Sequence, residues 1–197
     1  MTTQNNRVLT ITLNRPDDLN PLSWQVLNAI ADVLDTALND DSVGVIVIGA
    51  AGKAFSTGYD LREAHWITSQ YPANFDDHVD IRKDRDDVHV IVDYWMKLWR
   101  YPKPIIAKVQ GDCLSGAGEL LGVCDIAIVS EHARFGHPAG RDLGIPPSIM
   151  FWPMLIGYRK TKELLYTSRL ISAHEAAKIG LVNEVVAHDQ LDETVAI

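Results

Sequence analysis

Residues 115–125 read "SGAGELLGVCD". Gly116 and Gly118 supply the first two glycines of a phosphate-cradling G-x-G-x-x-G turn. The next glycine is Gly122, one position late, and Leu121 stands where it should be. Between them is Glu119. A dinucleotide loop offers unspent helix amides to a bound anion, and a carboxylate in that place competes with the anion. The stretch therefore reads as a glycine turn running into a helix that carries a glutamate in its first turn, built for something other than a nucleotide.

Short apolar runs lie on either side. "PIIAKVQG" before it and "DIAIVS" after it are buried-strand patterns, and "ARFG" is a further short strand. Nearer the N-terminus, Val8 to Leu13 alternate and are β-branched. Asn20 and Pro21 make a cap followed by a first-turn proline, with Leu27, Ile30, Leu34 and Leu38 at helical spacing. "VGVIVIGA" is a buried parallel strand, and "GKAFSTGYDL" a second short strand entering a tight turn at Gly58. Residues 62–99 are charged and then helical, with Val88, Ile91, Val92, Trp95 and Trp99 on one face. Residues 147–168 read as helix broken at Pro153. "SAHEAAKIG" is a helix starting at Ser172 or Ala173 and ending at Gly180, "LVNEVVA" is a strand, and the last residues begin a helix. The order strand, helix, strand, strand, helix then repeats, a ββα plan within one α/β domain spanning residues 1–197.

Composition narrows the function classes. With 47% hydrophobic and 22% charged residues among 197, the chain has ordinary globular composition. A net charge of -8 argues against a nucleic-acid partner, which needs a basic stripe. Cys113 and Cys124 fit no C-x-x-C spacing, so no metal site is expected and a reduced, cytoplasmic protein is. No stretch reads as a signal peptide or a membrane span.

Two turns carry candidate chemistry: "FSTGYD", residues 55–60, and "LSGAGE", residues 114–119. Each sets small residues and backbone N–H groups at the end of a short strand. If both face one cleft, an N–H from each can bind a single oxygen that becomes negative in a transition state. Glu119 would then lie beside that oxygen as a general acid or base. The other reading of the same residues is a first-turn capping glutamate with packing glycines.

The ordered motifs resemble the crotonase, or enoyl-CoA hydratase/isomerase, superfamily. "ITLNRPDDLNPLS" is similar to its first strand and turn. "AFSTGYDL" is similar to a turn usually written A-G-A-D-L. "KPIIAKVQGDCLSGAGELLGVCDIAIVS" and "ISAHEAAKIGLVNEVV" are similar to its core and a later helix. The resemblance implies a ββα spiral, a homotrimer or hexamer, and an acyl-CoA thioester as ligand, with coenzyme A part of the substrate and no separate cofactor. It implies oxyanion-hole N–H groups at Thr57 and Gly116, catalysis by Glu119, and substrate contacts at Asp60, Leu61 and Ala139. The family's C-terminal helices, which cap the site and knit the trimer, are expected to be absent or truncated.

The chain also departs from the pattern. Family hydratases carry a second glutamate after "FG-x-P", and here "FGHPAG" puts Ala139 there. Asp142 and His137 are the candidate second acid/base groups, each with a plainer reading as a surface aspartate and a buried structural histidine. Asp17 and Asp18 stand where a basic residue is common. Trp66, Tyr71, Tyr94, Trp95 and Trp99 either line an acyl pocket or pack a helix core. Three functions fit: an acyl-CoA hydratase/isomerase, a carbon–carbon hydrolase acting on a cyclic β-diketone, and a non-catalytic acyl-CoA binder.

Overall fold

The structure is a computed structural model that describes residues 1–62, 81–142, 144 and 147–195. Its strands fall in two sheets. The larger holds β1 (Thr2–Asn5), β2 (Val8–Leu13), β3 (Val45–Ala50), β5 (Ile105–Val109), β7 (Ile126–Ser130) and β10 (Glu184–Val186), in the order β1-β2-β3-β5-β7-β10. The smaller holds β4 (Ala54–Ser56), β6 (Asp112–Leu114), β8 (Arg134–Gly136) and β9 (Ile171–Ser172), in that order. Consecutive strand pairs β3/β4, β5/β6 and β7/β8 each give one strand to each sheet. A helix follows each pair: α2 (Ile81–Trp99), α3 (Gly116–Val123) and α4 (Ala139–Asp142). The repeating ββα spiral is thus the observed plan. Like strands of successive turns pair in parallel; the β1–β2 and β8–β9 pairs are antiparallel. Strands β1 and β9 have no counterpart in the sequence reading: the four residues of β1, TTQN, are all exposed and carry no apolar signal, and β9 is only two residues long.

The first helix, α1 (Trp24–Leu38), begins later than the Asn20–Pro21 signal suggests. Its cap is Ser23, whose hydroxyl accepts from the Val26 N–H. Asn20 does something else. It is buried in a left-handed conformation (φ 54°), accepts from the Arg15 N–H, and donates to the carbonyls of Ala51 and Ala54. It ties β2, the β3–β4 turn and the start of α1 together. On α1 the buried stripe is Leu27, Ile30, Leu34 and Ala37, while Leu38 is exposed. Lys103 donates to the Ala37 and Asp40 carbonyls at the C-terminal end of α1.

On α2 the buried face is Ile91, Tyr94, Trp95 and Leu98; Val88 and Trp99 turn outward, which rotates the expected face by part of a turn. Tyr94 packs there as core, donating to the Leu27 carbonyl; Trp66 and Tyr71 lie outside the described residues. The expected break at Pro153 is really at Gly157. Pro153 sits in the first turn of α5 (Trp152–Ile156), where its missing N–H costs nothing. Gly157, at φ 77°, separates α5 from α6 (Tyr158–Thr167). Ser172 caps α7 (Ala173–Lys178) through the Glu175 N–H, and Gly180 (φ 84°) closes it as expected. The chain then forms β10 beside β7 and a last helix, α8 (Leu191–Val195). No helix among the described residues is long and apolar enough to cross a membrane.

Candidate active site

The two glycine turns meet. Strands β4 and β6 pair in parallel, which brings their C-terminal ends side by side. Gly58 (φ 98°) lies so close that a Cβ there would stand 2.9 Å from the Gly116 nitrogen and 2.9 Å from the Leu114 carbonyl oxygen. Only glycine fits. Across the gap, Ser115 holds a left-handed φ of 51° with ψ -122°, an uncommon backbone for a side-chain-bearing residue. Its N–H is tied to the Gly136 carbonyl at 2.9 Å, so the strained residue is clamped from behind. The effect is to start α3 abruptly, and Gly116 takes the first helical position, where no intrahelical acceptor exists for its amide. The expected donor at Gly116 is therefore available in geometry.

Thr57 is different, and here the expectation is corrected. Its N–H already donates to the Leu19 carbonyl at 3.2 Å. The neighbouring amides are engaged too: Gly58 N–H with the Ser56 hydroxyl at 3.1 Å, and Asp60 N–H with the Leu22 carbonyl at 3.0 Å. The turn is braced by these bonds against the segment before α1, which includes the left-handed pair Leu19 and Asn20.

Glu119 is the centre of the site. It is 4% exposed, in the first turn of α3, itself a wholly buried helix. Its carboxylate is held from two directions. The Ser148 N–H donates to Oε1 at 2.8 Å and the Ser148 hydroxyl to Oε2 at 2.6 Å. The Tyr59 hydroxyl donates to the same Oε2. Tyr59 in turn accepts from the Trp95 indole N–H at 2.9 Å. Burial pushes the Glu119 carboxyl above its ordinary range, and the hydrogen bonds from Ser148, Tyr59 and Trp95 pull the other way without cancelling it. Burial, with the Glu119 charge beside it, pushes the Tyr59 phenol far up, so it remains a neutral donor.

The remaining expected residues separate clearly. His137 is buried and lines the same cavity as Ser115, Gly118, Glu119 and Trp152. Asp142 is exposed and paired with Arg141 at 2.7 Å, a pairing that lowers its carboxyl, so it is not gathered with Glu119. Ala139 is half-buried at the start of the short α4. Asp60 is buried but committed to Arg15 and Arg62, at 3.1 Å each, which makes it an anchor of the turn rather than a substrate contact. Leu61 is 54% exposed. Asp18 also pairs with Arg15 and Arg62, so its charge is spent within the turn. No group of three or more His, Cys, Asp or Glu able to hold a metal occurs among the described residues.

Tyr59 and Ser148 were not singled out as site residues by their sequence, and Trp95 was read only as an acyl-pocket or core aromatic. Tyr59 did carry a signal, since it stands at the second alanine of the A-G-A-D-L pattern. Ser148 carried none; its partner is 29 residues away in sequence.

Comparison with known proteins agrees with this geometry. The enoyl-CoA hydratase/isomerase family model matches residues 3–196. A Mycobacterium tuberculosis protein named probable enoyl-CoA hydratase is 35% identical over 190 residues, covering 94% of this chain and 67% of its own length. The hydroxycinnamoyl-CoA hydratase-lyase of Pseudomonas fluorescens is 33% identical, over 93% of this chain and 64% of its own. The crystal structure of an enoyl-CoA hydratase/isomerase from Xanthobacter autotrophicus Py2 superposes with a TM-score of 0.88 at 34% identity, covering all of this chain and 70% of that one. The chain thus spans about two thirds of the length of these relatives. With the ββα spiral and the paired glycine turns, these matches establish that the chain belongs to the enoyl-CoA hydratase/isomerase family.

Proposed function

We propose that the protein is an acyl-CoA hydratase or isomerase that uses Glu119 as its acid/base and stabilises a thioester enolate on backbone amides. The observation that carries this reading is the buried Glu119 carboxylate, fixed by three donors one helical turn behind the Gly116 amide. Since the Thr57 N–H is engaged with the Leu19 carbonyl, this reading rests its oxyanion hole on the Gly116 amide at the start of α3. In hydration, Glu119 takes a proton from water as the water oxygen bonds to the β-carbon. The π electrons move onto the thioester oxygen, giving the enolate. The proton then passes from Glu119 to the α-carbon. One water is added and the carboxylate is restored.

A second reading is kept because Ala139 offers no second carboxylate: Glu119 activates water against a β-keto carbonyl of a cyclic β-diketone, and the carbon–carbon bond breaks toward an enolate in the same hole. The same proposal takes the protein as a cytoplasmic homotrimer or hexamer with no cofactor beyond substrate coenzyme A. Exposed Met154, Tyr158 and Tyr166 on α5 and α6 support an apolar contact surface.

The test is mass spectrometry of linear enoyl-CoA, cyclic enoyl-CoA and cyclic β-diketone thioesters after incubation in heavy water, with Glu119→Gln alongside. Gain of water, or a moved double bond with α-deuterium, supports the leading reading, provided Glu119→Gln abolishes it. Ring opening with water supports the second. Binding with no conversion of any thioester would leave the protein an acyl-CoA binder.

A further inference from the structure

The hydrogen bonds around Glu119 are not symmetric. Oε2 receives two hydroxyl donors, from Tyr59 and Ser148, whereas Oε1 receives one backbone amide. A carboxylate oxygen has two lone pairs in its plane, so Oε2 is filled by these two donors and Oε1 keeps a lone pair. The Tyr59 hydroxyl has one proton and, among the described residues, two candidate acceptors, Glu119 Oε2 and the Ser148 hydroxyl at 3.2 Å. Two features send that proton to Glu119. The Trp95 indole can only donate, so it occupies a Tyr59 lone pair and polarises the O–H outward. The Ser148 hydroxyl is itself donating to Oε2 at 2.6 Å, which makes it the weaker acceptor.

The Tyr59 ring is held as firmly as its hydroxyl. It lies against the α-carbon of Gly116, where a Cβ would meet ring atoms at 2.7 and 2.8 Å. The residue that touches the oxyanion turn through its ring therefore touches the acid/base through its oxygen.

We propose that Tyr59 is a positioning residue of this site: its phenol, aligned by Trp95, occupies Oε2 of Glu119 and leaves Oε1 as the oxygen that exchanges protons. The proposal rests on the reading of Glu119 as the acid/base. A neutral phenol stabilises the carboxylate more than the carboxylic acid, so Tyr59 offsets part of the cost of burying the Glu119 charge. Among the described residues, the groups that face Glu119 are Tyr59 from the turn after β4, Trp95 from α2, Ser148 from the segment before α5 and His137 from the segment after β8. Of these, Tyr59 and His137 carry ionisable side chains, and Tyr59 stays a neutral donor.

The test reads Glu119 directly, without substrate. The protein is labelled with carboxyl-13C glutamate, the Glu119 resonance is assigned by its loss in Glu119→Gln, and its midpoint is followed with pH. In Tyr59→Phe the midpoint should rise by about one unit, the size of one lost charge-assisted hydrogen bond. With 3-fluorotyrosine at position 59, a more acidic and stronger donor, it should fall. An unchanged Glu119 midpoint in a folded Tyr59→Phe protein overturns the proposal. If that variant does not fold, an unchanged midpoint in the fluorinated protein overturns it instead. Glu119→Gln that still exchanges thioester α-hydrogen for deuterium removes the acid/base reading, and the role of Tyr59 with it, while the midpoint shift separately reports the hydrogen bond.

Discussion

Ser148 grips Glu119 with both of its donors, the N–H on one carboxylate oxygen at 2.8 Å and the hydroxyl on the other at 2.6 Å. A side chain held at both ends cannot rotate about its last bond without breaking one of the two. That is the arrangement an acid/base needs when it must meet a reacting atom at one fixed distance.

Ser148→Ala keeps the amide contact and removes the hydroxyl. A hydrogen bond to a charged group is worth about 1.5–3 kcal/mol, so kcat/KM should fall roughly 10- to 100-fold. Because the lost donor favoured the carboxylate, the acidic limb of the pH–rate profile should move to higher pH. Steady-state kinetics across pH check both; an unmoved limb would contradict the assignment of Ser148 as a donor to Glu119.

Gly116→Ala would press a methyl group onto the Tyr59 ring at 2.7 Å. Either the ring or the start of α3 must shift, and both carry the site. Turnover should fall about 10²- to 10³-fold, as for loss of one oxyanion donor, while far-UV circular dichroism stays unchanged. Gly118→Ala, whose methyl would first meet the Trp152 ring at 3.3 Å, should cost much less.

Glu119 should cost stability in a pH-dependent way. Its folded-state carboxyl is raised by burial, so between the ordinary glutamate range and that raised value the native state holds more protons than the unfolded one. Stability from this group therefore declines as pH rises through that window. Urea denaturation should show Glu119→Gln gaining on the parent protein from pH 4 to pH 7; a constant difference would refute the raised carboxyl.

Asp60 should behave oppositely. The Arg62 guanidinium, with Arg15, holds its carboxyl below the usual range. Its contribution is fully present above about pH 4 and is lost as pH falls through the depressed value. Asp60→Asn should lower the denaturation midpoint at pH 7 and converge with the parent protein near pH 2. Failure to converge would mean that Asp60 acts through packing rather than charge.

Asn20→Ala strands three buried or half-buried backbone groups, at Arg15, Ala51 and Ala54, and places a Cβ-bearing residue without polar compensation at φ 54°. A loss of about 2–4 kcal/mol is expected by urea denaturation. Asn20→Gly relieves the backbone but not the hydrogen bonds, so it should recover only a small part.

The local pattern carried much of this molecule. Buried-strand runs at Val45–Ala50, Ile105–Val109 and Ile126–Ser130, each followed by a short strand and a helix, are legible because apolar periodicity reports burial directly. So are the glycine turns and Glu119, since special backbone geometry demands special residues. What could not be read is everything decided by contact across the fold. Asn20 looks like a helix cap until β4 is seen beside it. Thr57 looks like an oxyanion donor until the Leu19 carbonyl is found against its amide. Asp60 looks like a substrate contact until two arginines close on it. Ser148 and Tyr59 lie 29 and 60 residues from Glu119, and no period or propensity links residues at such separations. Sequence determined which segments bury themselves and where the backbone must bend. Tertiary structure alone decided which polar groups meet, because a hydrogen bond depends on distances of a few tenths of an ångström that only the packed chain sets.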